Sequence, residues 1–118
     1  MKILLLAFTL FFAFPGTNLL TGRWETKVSE KGNVTGVVFK SDNKLEGYIN
    51  KKPFVSGTYN FNQSDSTLSF IDNGCNGMRA TYKVILYSNS DSLRFQAIED
   101  SCEERRKGML RLVMGRVK

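Results

Sequence analysis

The chain has 118 residues, a formal net charge of +6 and no histidine. That length suits one domain with a modest core, and 42% hydrophobic content belongs to a globular chain rather than a disordered one. Without imidazole there is no Ser-His-Asp or Cys-His nucleophile and no His-based zinc site, and two cysteines cannot complete a four-Cys site.

The N-terminus begins with Lys2, followed by an apolar or small run from Ile3 to Phe14 that only Thr9 interrupts, and Pro15-Gly16 then breaks it. This is the pattern of a secretory signal, assigned to residues 1–17. The run is about twelve residues, against the roughly twenty that span a bilayer, so no transmembrane segment is expected. Residues 18–118 are then an exported domain in an oxidising compartment, where a Cys pair is normally a disulfide.

From Thr21 onward, short alternating runs are divided by turn residues, which is the signature of β-strands. The first is 22–30 around Trp24, and Lys31-Gly32 turns. The second is 33–40 with Val37 and Phe39, and the third is 45–50. Lys51-Lys52-Pro53 should interrupt, because Pro cannot donate to a ladder. The fourth is 55–62 with Tyr59 and Phe61, and the fifth is 67–72 with Leu68 and Phe70. A broad turn, Asn73-Gly74-Cys75-Asn76-Gly77, leads to the sixth at 78–87, with Tyr82 and Val84. The seventh is 92–100 with Leu93 and Phe95, and the eighth is 108–117 with Leu110, Leu112 and Met114 on one parity.

Eight short strands with short connections favour antiparallel neighbours. Closing such a sheet removes its two edges, so the expected fold is all-β, an eight-stranded antiparallel up-and-down barrel, with a sandwich as the second choice. If the sixth and seventh strands form a hairpin with Tyr82 opposite Phe95 and Val84 opposite Leu93, every inward pair is apolar. The same register sets Cys75 opposite Cys102, at the separation of about 5 Å between Cα atoms that a disulfide accepts. A two-residue slip also keeps the faces matched and leaves the cysteines nearly opposite. By parity both cysteines would fall on the face away from Tyr82 and Phe95.

Two stretches then resemble a known family. Gly22-Arg23-Trp24 is similar to the Gly-x-Trp signature of lipocalins. The segment from Tyr82-Lys83-Val84 through Leu93-x-Phe95 to Asp100-x-Cys102-x-x-Arg105 resembles small lipocalin-like proteins of bacterial envelopes. The resemblance implies a secreted or periplasmic barrel whose Trp24 closes one end, beside Gly22 and beneath Arg111 or Arg116. It implies a small apolar ligand held by Trp24, Phe39, Tyr59, Phe61, Phe70, Tyr82, Phe95 and Met114. The alternative is an envelope protein-interaction or inhibitor module with a filled barrel. The rings should occupy most of the lumen and leave only a small pocket near a rim, where the hydroxyls of Tyr59 and Tyr82 are available to a ligand.

The expected protein is a monomer without cofactor, metal, nucleic-acid partner or enzymatic activity. The basic residues are spread out, and Arg105-Arg106-Lys107 directly follows Glu103-Glu104, as on a solvated surface. Asp100 with Glu103-Glu104 likewise reads as a solvated rim.

Overall fold

A computed structural model describes residues 18–118; the expected signal segment lies outside the described residues. Eight strands close into an antiparallel barrel in simple chain order. They are β1 (Gly22–Thr26), β2 (Thr35–Phe39), β3 (Lys44–Ile49), β4 (Lys52–Asn62), β5 (Thr67–Asp72), β6 (Ala80–Tyr87), β7 (Ser92–Glu99) and β8 (Val113–Arg116). The seam is β1 against β8, with Trp24 opposite Arg116 and Thr26 opposite Met114. Every strand therefore has a partner on both sides, although β7 meets β8 only over Ser92–Arg94, and the helix before β8 lies against the rest of β7.

Strand parity divides inside from outside. Trp24 faces Val37, Val37 faces Gly47, and Gly47 faces Val55, so one ring of inward residues runs across β1 to β4. Tyr59, Phe70 and Ala80 continue the inward set on β4 to β6. Leu20, Trp24, Phe39, Leu45, Tyr59, Leu68, Phe70, Tyr82, Val84, Leu93, Phe95 and Met114 form one buried cluster.

Four expectations change in detail. The β6–β7 hairpin takes the slipped register, with Tyr82 opposite Ala97 and Val84 opposite Phe95 rather than Tyr82 opposite Phe95. A register shift between Thr81 and Tyr82 lets the strands keep apolar faces matched while the hairpin's open end rearranges.

Pro53 does not interrupt. It is the second residue of β4 and pairs with Tyr48 beside a bulge at Gly47/Tyr48, so its missing N–H falls where the ladder is already irregular. The two-residue loop Asn50-Lys51 makes this hairpin tight, both residues having positive φ, as a primed turn requires.

The eighth strand is only Val113–Arg116; an α-helix, α1 (Glu103–Leu110), precedes it. Glu103 and Glu104 in its first turn and Lys107 in its last complement the helix dipole, and Lys107 pairs with Glu103 one turn away. The charge run is thus a helix rather than a rim loop.

Cys75 and Cys102 are bonded, with Cα atoms 6.0 Å apart. They stand outside the strands, in a 3-10 turn (Cys75–Gly77) and just before α1, so strand parity does not govern them and they border the barrel mouth instead of its outer wall. The bond closes a sequence separation of 27. In the chain-entropy model a loop of this length stabilises the fold by about 3–4 kcal/mol. The double variant Cys75→Ser/Cys102→Ser should lose that much in urea unfolding, and the oxidised protein should show no alkylatable thiol by mass spectrometry.

Candidate functional site

The two ends of the barrel are built differently. The turns at 40–43, 63–66 and 88–91 meet at one end, where residues 18–21 also cross. Here Trp24 is completely buried, and its indole N–H donates to the Leu20 carbonyl at 2.8 Å. Arg116 lies over its ring, 4.3 Å from the centroid. The same guanidinium donates to the carbonyls of Thr21, Leu19 and Ser90 and pairs with Asp91, so one side chain fastens three segments over the indole. Gly22 has φ +129 and would point a Cβ at the guanidinium 3.3 Å away, two reasons for glycine at that position. Arg111 takes no part. It caps α1 at the opposite end, because the helix shortens the last strand and carries Arg111 out of it.

Above this end the rings pack together. Phe39 and Tyr59 meet edge-on at 5.0 Å, Phe70 stacks on Tyr82 at 6.0 Å, and Tyr82 meets Phe95 edge-on at 6.2 Å. Neither tyrosine hydroxyl is left for a ligand: Tyr59 donates to the Lys40 carbonyl, and Tyr82 donates to Asp100.

Toward the other end the barrel opens into a cavity of about 1290 Å³. Of the eight candidate ligand-binding residues, Phe39, Phe70, Phe95 and Met114 line it, while Trp24, Tyr59, Phe61 and Tyr82 lie in the packed part. The expectation of a small pocket is corrected. The reason is the distribution of side-chain size along β2, β3 and β4. From mouth to closed end, β2 reads Thr35, Val37, Phe39; β3 reads Ile49, Gly47, Leu45; β4 reads Val55, Gly57, Tyr59 on the inward parity. Bulk is greatest at the closed end, in Phe39, Leu45 and Tyr59, and drops to glycine midway along β3 and β4, at Gly47 and Gly57. The deep walls Leu68, Phe95 and Met114 are at most 4% exposed, whereas Val37, Ile49 and Val55 are half-buried, so the free volume lies at the open end.

On the β5–β7 side that end is held by a charged cluster the sequence reading missed. Arg105 of α1 donates to both oxygens of Asp100, to Asp72 and to the Met78 carbonyl, and lies against the Phe70 ring. Asp100 is 6% exposed and Asp72 is 7% exposed, so neither belongs to a solvated rim. Among the described residues no buried side-chain polar atom lacks a partner. Met109 and Leu112, on either side of the end of α1, reach back toward the core and complete the wall. The sequence signal was the pattern Asp100-x-Cys102-x-x-Arg105 itself: one turn of helix after the cysteine brings Arg105 back over Asp100.

Burial opposes the charge on Asp100, but the Arg105 guanidinium and the Tyr82 hydroxyl outweigh it and hold the carboxyl below the ordinary carboxylate range. Burial and the same hydrogen bond push the Tyr82 phenol above its usual value. The depressed Asp100 contributes stability that is complete above its unfolded value, near about 4, and is lost as pH falls through the folded one. The raised Tyr82 contributes stability that is complete below about 10 and is lost as pH rises beyond it. Thermal melts should therefore be flat between those limits and fall outside them. Asp100→Asn should lower the plateau and shrink the acid-side fall, and an unchanged acid limb would contradict the assignment.

Comparison with known protein families, with curated proteins and with solved structures finds no match.

Proposed function

We propose that this chain is a lipocalin-like binding barrel of an extracytoplasmic compartment that takes one small, mainly apolar ligand through its open end. The observation that carries the reading is the cavity: an apolar wall of Val37, Ile49, Val55 and Leu112 above a floor of Phe39, Phe95 and Met114. Pockets for small molecules are typically mostly apolar clefts of about 300–1,000 Å³ with few polar groups. This one is larger, at about 1290 Å³, and takes in Lys27, Lys31 and Arg111 at its rim, and a rigid barrel supplies it at low ordering cost. The disulfide is compatible with an oxidising compartment. Among the described residues no helix is long and apolar enough to cross a membrane. We read the protein as a binder rather than an enzyme, because the two buried carboxylates at the mouth, Asp72 and Asp100, are both spent on one guanidinium.

The experiment is displacement of an environment-sensitive dye by saturated acyl chains of graded length, retinoids and small aromatics. Affinity should rise by about 0.8 kcal/mol for each added methylene until the cavity is full. Val55→Trp should fill the mouth and weaken binding at least about tenfold, which is about 1.4 kcal/mol, with the melting temperature little changed. Absence of binding by every member of the panel would overturn the reading in favour of a protein-interaction module.

A further inference from the structure

The rim of the cavity carries two kinds of side chain that the ligand reading does not use. Val28 and Phe54 are each 66% exposed and Leu110 is 50% exposed. They come from three different rim elements: the β1–β2 connection, the start of β4, and the end of α1. Phe54 is the extra residue of the β4 bulge, since Gly47 pairs with Val55 and Tyr48 with Pro53. A bulge at a barrel rim re-aims a side chain, and this one turns a large ring into water.

Between these tips stand exposed cations: Lys27, Lys31, Lys51, Lys52, Arg79 and Arg111. Among the described residues none of the six is in an ion pair. At the closed end Lys40, Arg116 and Lys118 are each on a carboxylate, and Lys44 is exposed without one. Glu30, Glu99 and Glu104 are exposed at the same end, and Glu103 there is paired with Lys107, but the six free cations outnumber the unpaired carboxylates.

We propose that the open end docks on an anionic lipid bilayer, with Val28, Phe54 and Leu110 entering the headgroup region and the surrounding lysines and arginines meeting lipid phosphates. The geometry favours lipid over an acidic protein. A protein interface needs a closely packed centre, and here the centre is the hole of the cavity. A bilayer needs none: each apolar tip inserts separately, and long cationic side chains lie along the interface. The passage of ligand directly between bilayer and cavity rests on the ligand reading above; the docking itself does not.

The test uses the Phe54→Trp variant and sedimentation with vesicles of phosphatidylcholine alone or mixed with phosphatidylglycerol. Trp24 is fully buried at the other end, so a change in emission reports on position 54. The mixed vesicles should bind the protein in a salt-sensitive way, with a blue shift and quenching by brominated acyl chains. Lys51→Gln and Lys52→Gln should each lower affinity about fivefold, and Lys44→Gln at the closed end should not. Equal binding to both vesicle types, no binding, or binding without a change at position 54 would overturn the proposal. Dye displacement in vesicle-free solution is independent of all three outcomes, so failure of docking and failure of ligand binding are told apart.

Discussion

Arg105→Met is expected to destabilise the barrel by about 3–5 kcal/mol, the cost of removing one partner from a buried ion cluster. The guanidinium is 9% exposed and answers two carboxylates that are still better buried. Methionine fills much of the volume and can keep the contact with Phe70, but it leaves Asp72 and Asp100 facing each other without a cation. The structural consequence should be local first. Arg105 is the charged tie between α1 and the barrel, alongside the Arg106 hydrogen bond to the Asp100 carbonyl and the covalent bond at Cys102, so hydrogen exchange in α1 should accelerate before the sheet opens. Adding Asp72→Asn and Asp100→Asn should recover part of the loss, because the penalty belongs to uncompensated charge, and such coupled effects are not additive. A single variant within 1 kcal/mol of the native protein in urea unfolding would show that the cluster is not what holds this end.

Trp24→Ala is expected to cost about 3–5 kcal/mol, as large aromatic truncations in well-packed sites do. Burial of the ring is only part of the loss. The indole also anchors Leu20 through its N–H and gives Arg116 a face to rest on, so its removal frees the 18–21 crossing and the last strand together. Trp24→Phe separates the contributions: it keeps a ring for Arg116 but drops the hydrogen bond to Leu20, and should cost about 1–2 kcal/mol with the orphaned carbonyl. Because Trp24 is the protein's one tryptophan, its emission should be that of a dry indole in the native state and shift red on unfolding. A loss below 1 kcal/mol for the alanine variant would contradict closure of this end by Trp24.

The barrel was legible because its strands announce themselves twice, by alternation and by turn residues. Thr67–Asp72, with Leu68 and Phe70 inward, stands where alternation places it. The disulfide was legible from hairpin logic even though the first register was two residues off, since either register keeps the cysteines near one another. What was not legible came from non-local geometry. Residues 103–110 carry helical charge placement, but Leu110, Leu112 and Met114 alternate, and alternation suggested one long strand; the helix is settled by Arg105 reaching Asp72, far away in sequence. For the same reason Asp100 looked solvated beside its acidic neighbours and is buried.

The cavity was half visible. Aromatics recur on one parity, which suggested a full lumen, yet Thr35, Val37, Gly47, Ile49, Val55 and Gly57 were also on the inward parity, in the mouth half or the middle of their strands. Which end of each strand is the mouth follows from the meander alone, so the small inward residues beside the aromatic ones are already placed by the order of the residues.

The most direct test of the ligand-binding account is a methyl-resolved NMR titration with a medium-chain fatty acid. Binding in the cavity predicts saturable shifts at the methyls of Val37, Ile49, Val55 and Leu112, which line it. The methyls of Ile71, Ile85 and Ile98, on the outward parity of β5, β6 and β7, should stay in place. Shifts confined to the outward set, or none at ligand concentrations well into the millimolar range, would contradict it.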